Sequence, residues 1–254
     1  MPLTTKLPAR VVVLALVLLC GAGLAWADAP CPAEPPAPLL HLRHLRATLE
    51  QGSEALLVAI GSSSTLGVMA SDPAHSYPAE LQAALEHALP RMHIAVINRG
   101  VGGQDAPEEL ARLQTDVIAV RPQLVVWQVG ANGALRHADP DTFRTMVTEG
   151  VERLQAAGID VVLMDNQHSP KVDAAPEHAL MDAILAQVAQ ATGVGLFSRS
   201  ALMAAWQQEG APEPTFISSD GLHQNDRGYV CTARALADAI LDGLRATRTL
   251  SAKR

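Results

Sequence analysis

Aromatic residues are scarce. Phe, Trp and Tyr make up 3% of the 254 residues, too few for a base-stacking surface. Lysine is scarcer still, present only at Lys6, Lys171 and Lys253, and arginine supplies the rest of the 19 basic residues without forming a run. With a formal charge of −7, the chain lacks the electrostatic grip on phosphate that nucleic-acid binding needs, and no nucleic-acid partner is expected. Past residue 27 no apolar stretch approaches the ~20 residues that cross a bilayer, so no stable membrane insertion is expected there. Cysteine is limited to Cys20, Cys31 and Cys231. What is abundant is core-forming material, 48% hydrophobic against 18% charged, which excludes a disordered chain.

The first 27 residues read as a secretory signal. Lys6 and Arg10 give a positive start, residues 11–19 are unbroken apolar, and Ala25-Trp26-Ala27 offers small residues at both positions a signal peptidase reads. Cleavage after Ala27 would export the protein to the periplasm or the medium of a bacterium and remove Cys20. Residues 28–38 follow as a proline-rich leader with five prolines between Pro30 and Pro38. In a compartment that permits disulfides, the remaining pair, Cys31 and Cys231, fits either one bridge from the leader to the last helix or two separate thiols.

From residue 39 to about 250 the pattern is that of one domain. Short apolar runs at 55–60, 93–98, 124–129, 159–165 and 194–197 read as strands buried on both faces. They alternate with segments of helical period at 39–50, 77–89, 107–120, 141–157, 176–192 and 226–247. Such alternation predicts a three-layer α/β/α fold around an open parallel sheet of about five strands, in the flavodoxin-like order 2-1-3-4-5, with the last helix beside the first strand. Ligands of such sheets bind beyond the carboxyl ends of the strands.

The loops at those ends are small, polar or glycine-rich: Gly61-Ser62-Ser63-Ser64-Thr65, Asn98-Arg99-Gly100-Val101-Gly102-Gly103, Gly130-Ala131-Asn132-Gly133, Asp165-Asn166-Gln167-His168 and Asp220-Gly221-Leu222-His223. Several chemistries fail on detail. Gly100-x-Gly102 is followed by Asp105 where a dinucleotide fingerprint needs its third glycine. Gly61-x-Ser63-x-Thr65 lacks the second glycine of a nucleophile elbow. His41 and His44 have metal-like spacing but no third ligand nearby, so they read as a solvated helix face. Acyl transfer through a serine fits: Ser63 supplies a hydroxyl, His223 a base and Asp220 a carboxylate one turn from it. The Ser63 and Gly100 N–H groups and the Asn132 side chain supply oxyanion donors.

On these residues the sequence resembles the SGNH hydrolases, also called GDSL-type esterases, over roughly residues 56–244. Gly61 to Thr65 looks like the first block with Ser63 as nucleophile, Asn98-Arg99-Gly100 like the second, Gly130-Ala131-Asn132 like the third and Asp220 to His223 like the last. The resemblance implies a flavodoxin-like fold and ester hydrolysis with no metal or organic cofactor, on a small-molecule or glycan ester with a short-chain or acetyl group. Acyl transfer to a sugar hydroxyl, or a non-catalytic glycan-binding module on the same fold, are the alternatives. Ser62 stands where the first block usually has Asp, and Gly133 where Asp often follows the third-block Asn.

Overall fold

The apolar runs form five short strands: β1 (Ala55–Gly61), β2 (Ile94–Gly100), β3 (Leu124–Gln128), β4 (Asp160–Met164) and β5 (Gly195–Phe197). Every neighbouring pair is parallel and the order is β2-β1-β3-β4-β5, as the alternation predicts. The computed structural model describes residues 30–35 and 38–251, with 247–251 described by backbone alone. The expected signal at residues 1–27 lies outside them, as does part of the leader. All the secondary structure among the described residues falls in one unit that begins at Cys31.

Successive side chains of a strand face opposite ways, and the strands use both directions. Leu57, Ala59, Leu124, Val126, Val162 and Met164 enter one core cluster, whereas Val58, Ile60, Val125, Trp127, Val161 and Leu163 enter the other. Helices α1 (Arg43–Glu50), α3 (Tyr77–Ala88), α9 (Arg199–Gln208) and α10 (Asp226–Ser251) close the first cluster. Helices α4 (Ala106–Asp116), α6 (Pro140–Ala156) and α8 (His178–Thr192) close the second. Three single turns, α2 (Ser63–Leu66), α5 (Ala131–Leu135) and α7 (Pro170–Asp173), follow β1, β3 and β4. No helix among the described residues is long and apolar enough to cross a membrane.

Local chemistry sets the helix ends. The Asp139 carboxylate accepts the Thr142 N–H at 2.8 Å, and Pro140 opens α6 where its missing N–H costs nothing. Gly158, just past that helix, has φ +74, a left-handed stop. Three expectations shift. The first helix starts at Arg43 rather than residue 39, because Leu40 and Leu42 are buried ahead of it and Asp160 Oδ2 accepts the His44 and Leu45 N–H groups at 2.9 Å. The segment expected as one helix over 107–120 is α4 plus a 3-10 turn at Ile118–Val120. Helix α9 lies in a stretch that reads as a connection in the sequence; Ser198 Oγ accepts the Ala201 N–H at 3.1 Å and starts it. Helix α10 packs against α3, and a disulfide joins Cys231 on it to Cys31, with Cα atoms 5.5 Å apart.

One carboxyl lies inside the second layer. Trp127 Nε1 donates to Glu109 Oε2 at 2.7 Å, and both residues are fully buried. Burial pushes the Glu109 carboxyl up to about 8, against the pull of the Trp127 bond, and the nearby Asp105 adds to the rise. Folding therefore takes up a proton at Glu109 between the ordinary carboxyl value of 4.5 and about 8. This contribution to stability is complete below the unfolded value and is lost as pH rises through the folded one. Burial and the neighbouring Asp182 raise Asp165 in the same sense. Urea unfolding between about pH 5 and about pH 8 should show stability falling with pH, and Glu109→Gln should reduce that slope. Equal slopes in the two proteins would contradict the buried neutral carboxyl.

Candidate active site

The loops after β1, β2, β3 and β4 and the turn before α10 meet at the carboxyl edge of the sheet. The strand order reverses between β1 and its two neighbours, the position where ligands bind in open sheets. Ser63 is the first residue of α2, so its N–H has no partner within the helix. Its Oγ lies 2.8 Å from His223 Nε2, and His223 Nδ1 lies 2.6 Å from Asp220 Oδ2. The three sequence candidates for acid-base chemistry are thus brought together in line.

The turn that carries two of them is heavily pinned. Asp220 Oδ1 accepts from Ser218 Oγ at 2.7 Å, the Leu222 N–H at 2.9 Å and the His223 N–H at 3.0 Å. Burial works to raise the Asp220 carboxyl, but the bonds from His223, Ser218 and the two N–H groups outweigh it and hold the group well below the usual carboxylate range. Asp220 stays ionised and presents a fixed negative charge to the imidazole. From the β4 side, the Lys171 N–H donates to Gly221 O at 3.0 Å and Gln167 Nε2 to Leu222 O at 3.0 Å. Gln167 is itself held by the buried Arg199, whose Nη2 donates to Gln167 Oε1 at 2.6 Å and to Asp165 O at 3.1 Å.

Beneath the Ser63 loop sits Gln128, the last residue of β3. Its Oε1 accepts from the Ser62 N–H at 3.2 Å, Ser62 Oγ at 3.1 Å and Thr65 Oγ1 at 3.1 Å. The serine that replaces the usual Asp at position 62 is therefore a donor to a buried amide. Sequence reasoning missed Gln128 because a residue ending an apolar strand reads as core.

The oxyanion donors divide. Asn132, at the start of α5, donates through Nδ2 to Gln104 O at 2.7 Å, which ties it to the loop after β2 and leaves its second N–H. The Gly100 N–H, expected as a donor, instead donates to Asn98 Oδ1 at 2.8 Å, and Asn98 Nδ2 reaches back to Thr65 O at 2.8 Å. Gly100 serves close packing: a Cβ there would lie 2.0 Å from the Leu66 nitrogen. Gly102 and Gly103 are exposed, and their N–H groups have no partner among the described residues. Gly103 has φ +78, and Arg136 Nη2 donates to its carbonyl.

The absent third-block carboxylate is supplied from elsewhere. A Cβ on Gly133 would lie 2.9 Å from Asp105 Oδ2, so the Asp105 carboxylate fills the space beside Gly133. Burial raises this carboxyl, while N–H bonds from Ala106 and Gly133 work against the rise. In the sequence Asp105 stands out only as the residue that spoils a dinucleotide fingerprint.

A second serine, histidine and carboxylate also lie together. His168 Nδ1 is 2.9 Å from Asp173 Oδ1, and His168 Nε2 is 3.4 Å from Ser200 Oγ. Ser200 is poorly suited to attack. Its N–H is spent on Asp165 Oδ1 at 2.9 Å, so it lacks the free donor that Ser63 has. His41 and His44 lie at the other edge of the sheet beside Asp160. Among the described residues no three His, Cys, Asp or Glu side chains converge to hold a metal ion.

The model of the non-GDSL lipase-like family matches residues 28–246. An arylesterase of Vibrio mimicus is 27% identical over 195 residues, 76% of this chain and 92% of that protein. Among solved structures, a two-domain esterase (CEX) active on acetylated mannans superposes with a TM-score of 0.69 at 21% identity. The match covers 82% of this chain but only 55% of that one. Axe2, an acetylxylan esterase from Geobacillus stearothermophilus, superposes with a TM-score of 0.61 at 22% identity, covering 75% of this chain and 94% of that one. These likenesses agree with the SGNH resemblance and its three-layer fold.

The carboxylate relocation is testable by transplanting it. Gly133→Asp alone should destabilise the protein by about 3–5 kcal/mol, since it forces a second carboxylate against Asp105 without a partner. Asp105→Ser with Gly133→Asp, which keeps a cap residue for α4, should recover most of the lost melting temperature. A double variant no more stable than Gly133→Asp alone would contradict the relocation.

Proposed function

The chain belongs to the non-GDSL lipase-like family, and on that footing we propose that it is an exported serine esterase that hydrolyses acyl esters through an acyl-enzyme on Ser63. The observation that carries the reading is the continuous chain from Asp220 through His223 to Ser63, at 2.6 and 2.8 Å. The esterase names of its relatives support the same bond class.

In this mechanism Asp220 accepts the Nδ1–H of His223, which leaves Nε2 as the base. Nε2 takes the Ser63 proton as Oγ attacks the ester carbonyl. The carbonyl oxygen gains the negative charge and is held by the Ser63 N–H, the second N–H of Asn132 and a backbone donor of the loop after β2. We assign that last donor to Gly103 rather than Gly100, since the Gly100 N–H is engaged by Asn98 while that of Gly103 is open and its loop is tied to Asn132. The imidazolium then protonates the leaving alcohol. Water, deprotonated by His223 in its turn, attacks the acyl-enzyme and releases the acid.

Export is supported by the signal pattern of residues 1–27 and by the Cys31–Cys231 disulfide, a bond at home in an oxidising compartment. In this reading residues 28–38 are a leader that the disulfide fastens to α10, ahead of one hydrolase domain at 39–250.

Hydrolysis of p-nitrophenyl acetate tests the assignment. Ser63→Ala should lower kcat by roughly 10⁴ or more, and Asn132→Ala by roughly 10²–10³, the worth of one oxyanion donor. A Ser63→Ala protein that keeps more than about a hundredth of the wild-type rate would remove Ser63 from the mechanism. An unchanged kcat for Asn132→Ala would remove Asn132 alone.

A further inference from the structure

Among the described residues large apolar side chains are rarely exposed, and more than half of those that are lie near Ser63. Among the described residues five stand out: Leu39, Leu66, Met69, Val101 and Leu180. Three of them border Ser63. Leu66, 47% exposed, lies one helical turn after Ser63 on α2 and hence on the same face. Val101, 40% exposed, follows β2, and its N–H donates to Gly61 O at 2.9 Å, two residues before the nucleophile. The end of β2 packs flush on the Leu66 backbone, with no room for a Cβ at Gly100, which brings the backbone of the following residue, Val101, close to α2. Met69, 45% exposed, follows Val68, whose N–H bonds Ser63 O at 3.0 Å. Its φ of +70 is a conformation that side chains of this size seldom adopt. Every aromatic side chain among the described residues, by contrast, is at most 4% exposed.

The two sides of Ser63 are not equivalent. His223 must protonate the leaving alcohol, so the alcohol lies on the His223 side. That side is anchored toward β4 through Gln167 and Lys171. Strand β2 lies across β1 from β3 and β4, so Leu66 and Val101 lie on the side of Ser63 away from that anchored turn. Resting on the esterase reading of Ser63, we propose that Leu66 and Val101, with Met69 at the edge, form an aliphatic shelf for the acyl chain. The preferred substrates are esters of linear acyl groups longer than acetyl, and not acetylated glycans.

A series of p-nitrophenyl esters from acetyl to octanoyl varies the acyl chain while the alcohol stays fixed. In the wild-type protein kcat/KM should rise by about two- to fourfold per methylene up to about hexanoyl. Leu66→Ser and Val101→Ser should each lower the hexanoyl-to-acetyl ratio by at least about fivefold. Leu39→Ser, which removes an equally exposed leucine ahead of α1, should leave the ratio unchanged. A ratio that falls with chain length, or that ignores both shelf substitutions, overturns the shelf while acetyl hydrolysis leaves the esterase reading standing. So does a higher kcat/KM on acetylated xylo-oligosaccharides than on the hexanoyl ester. A wild-type protein inactive on every ester overturns the esterase reading and the shelf with it.

Discussion

The hydrogen bond between Ser63 and His223 spans 160 residues of sequence in 2.8 Å of space. It imposes the hardest constraint in the molecule. A hydroxyl and an imidazole on separate loops meet at bonding distance only if both loops are held more rigidly than loops usually are. Much of the polar structure at the carboxyl edge of the sheet answers this demand. Gln128 holds the serine side from below through three donors. On the histidine side, Arg199, Gln167 and the Lys171 N–H fix the turn from the β4 loop, while Asp220 fastens it to its own backbone.

These supports share a physical character. Gln128 and Arg199 are almost fully buried, where a polar group without partners would be costly. The cost becomes specificity of position: Gln128 Oε1 and Arg199 Nη2 find their partners only when the loops they serve are in place, while Arg199 Nε and Nη1 have none among the described residues. Asp105 supports the Asn132 arm by filling the gap beside Gly133. Substitutions that would look damaging by comparison with other SGNH enzymes, Ser62 and Gly133, are compensated by neighbours from different strands.

The sheet order and the convergence of the loops were legible in the sequence because hydrophobic period and glycine placement encode them directly. Apolar runs such as 55–60 and 159–165 are short, bounded by turn residues and rich in β-branched side chains, which suits a doubly covered sheet, and small polar loops follow them. Ser63, Asn132, Asp220 and His223 were visible as residue types in those loops. The supporting groups were hidden because their roles arise from contacts between distant segments. Gln128 sits at the end of a core strand, Gln167 in a polar loop without a motif, and Asp105 at a position read only for what it failed to be. Gly100 drew attention as a glycine near a strand end, but its N–H is taken by Asn98, a bond that spacing does not reveal. Helix α9 was obscured in the same way, since its start depends on a local cap at Ser198 rather than on a strong apolar stripe.

If the chain from Asp220 through His223 is what activates a serine, Ser63 alone should react as a nucleophile, although three serines run together and Ser200 has its own histidine and carboxylate. Reaction of the intact protein with a fluorophosphonate, followed by peptide mapping, tests it most directly. A single adduct is expected, on Ser63, and none when His223 is replaced by Ala. An adduct on Ser62, Ser64 or Ser200, or equal labelling without the His223 imidazole, would contradict it.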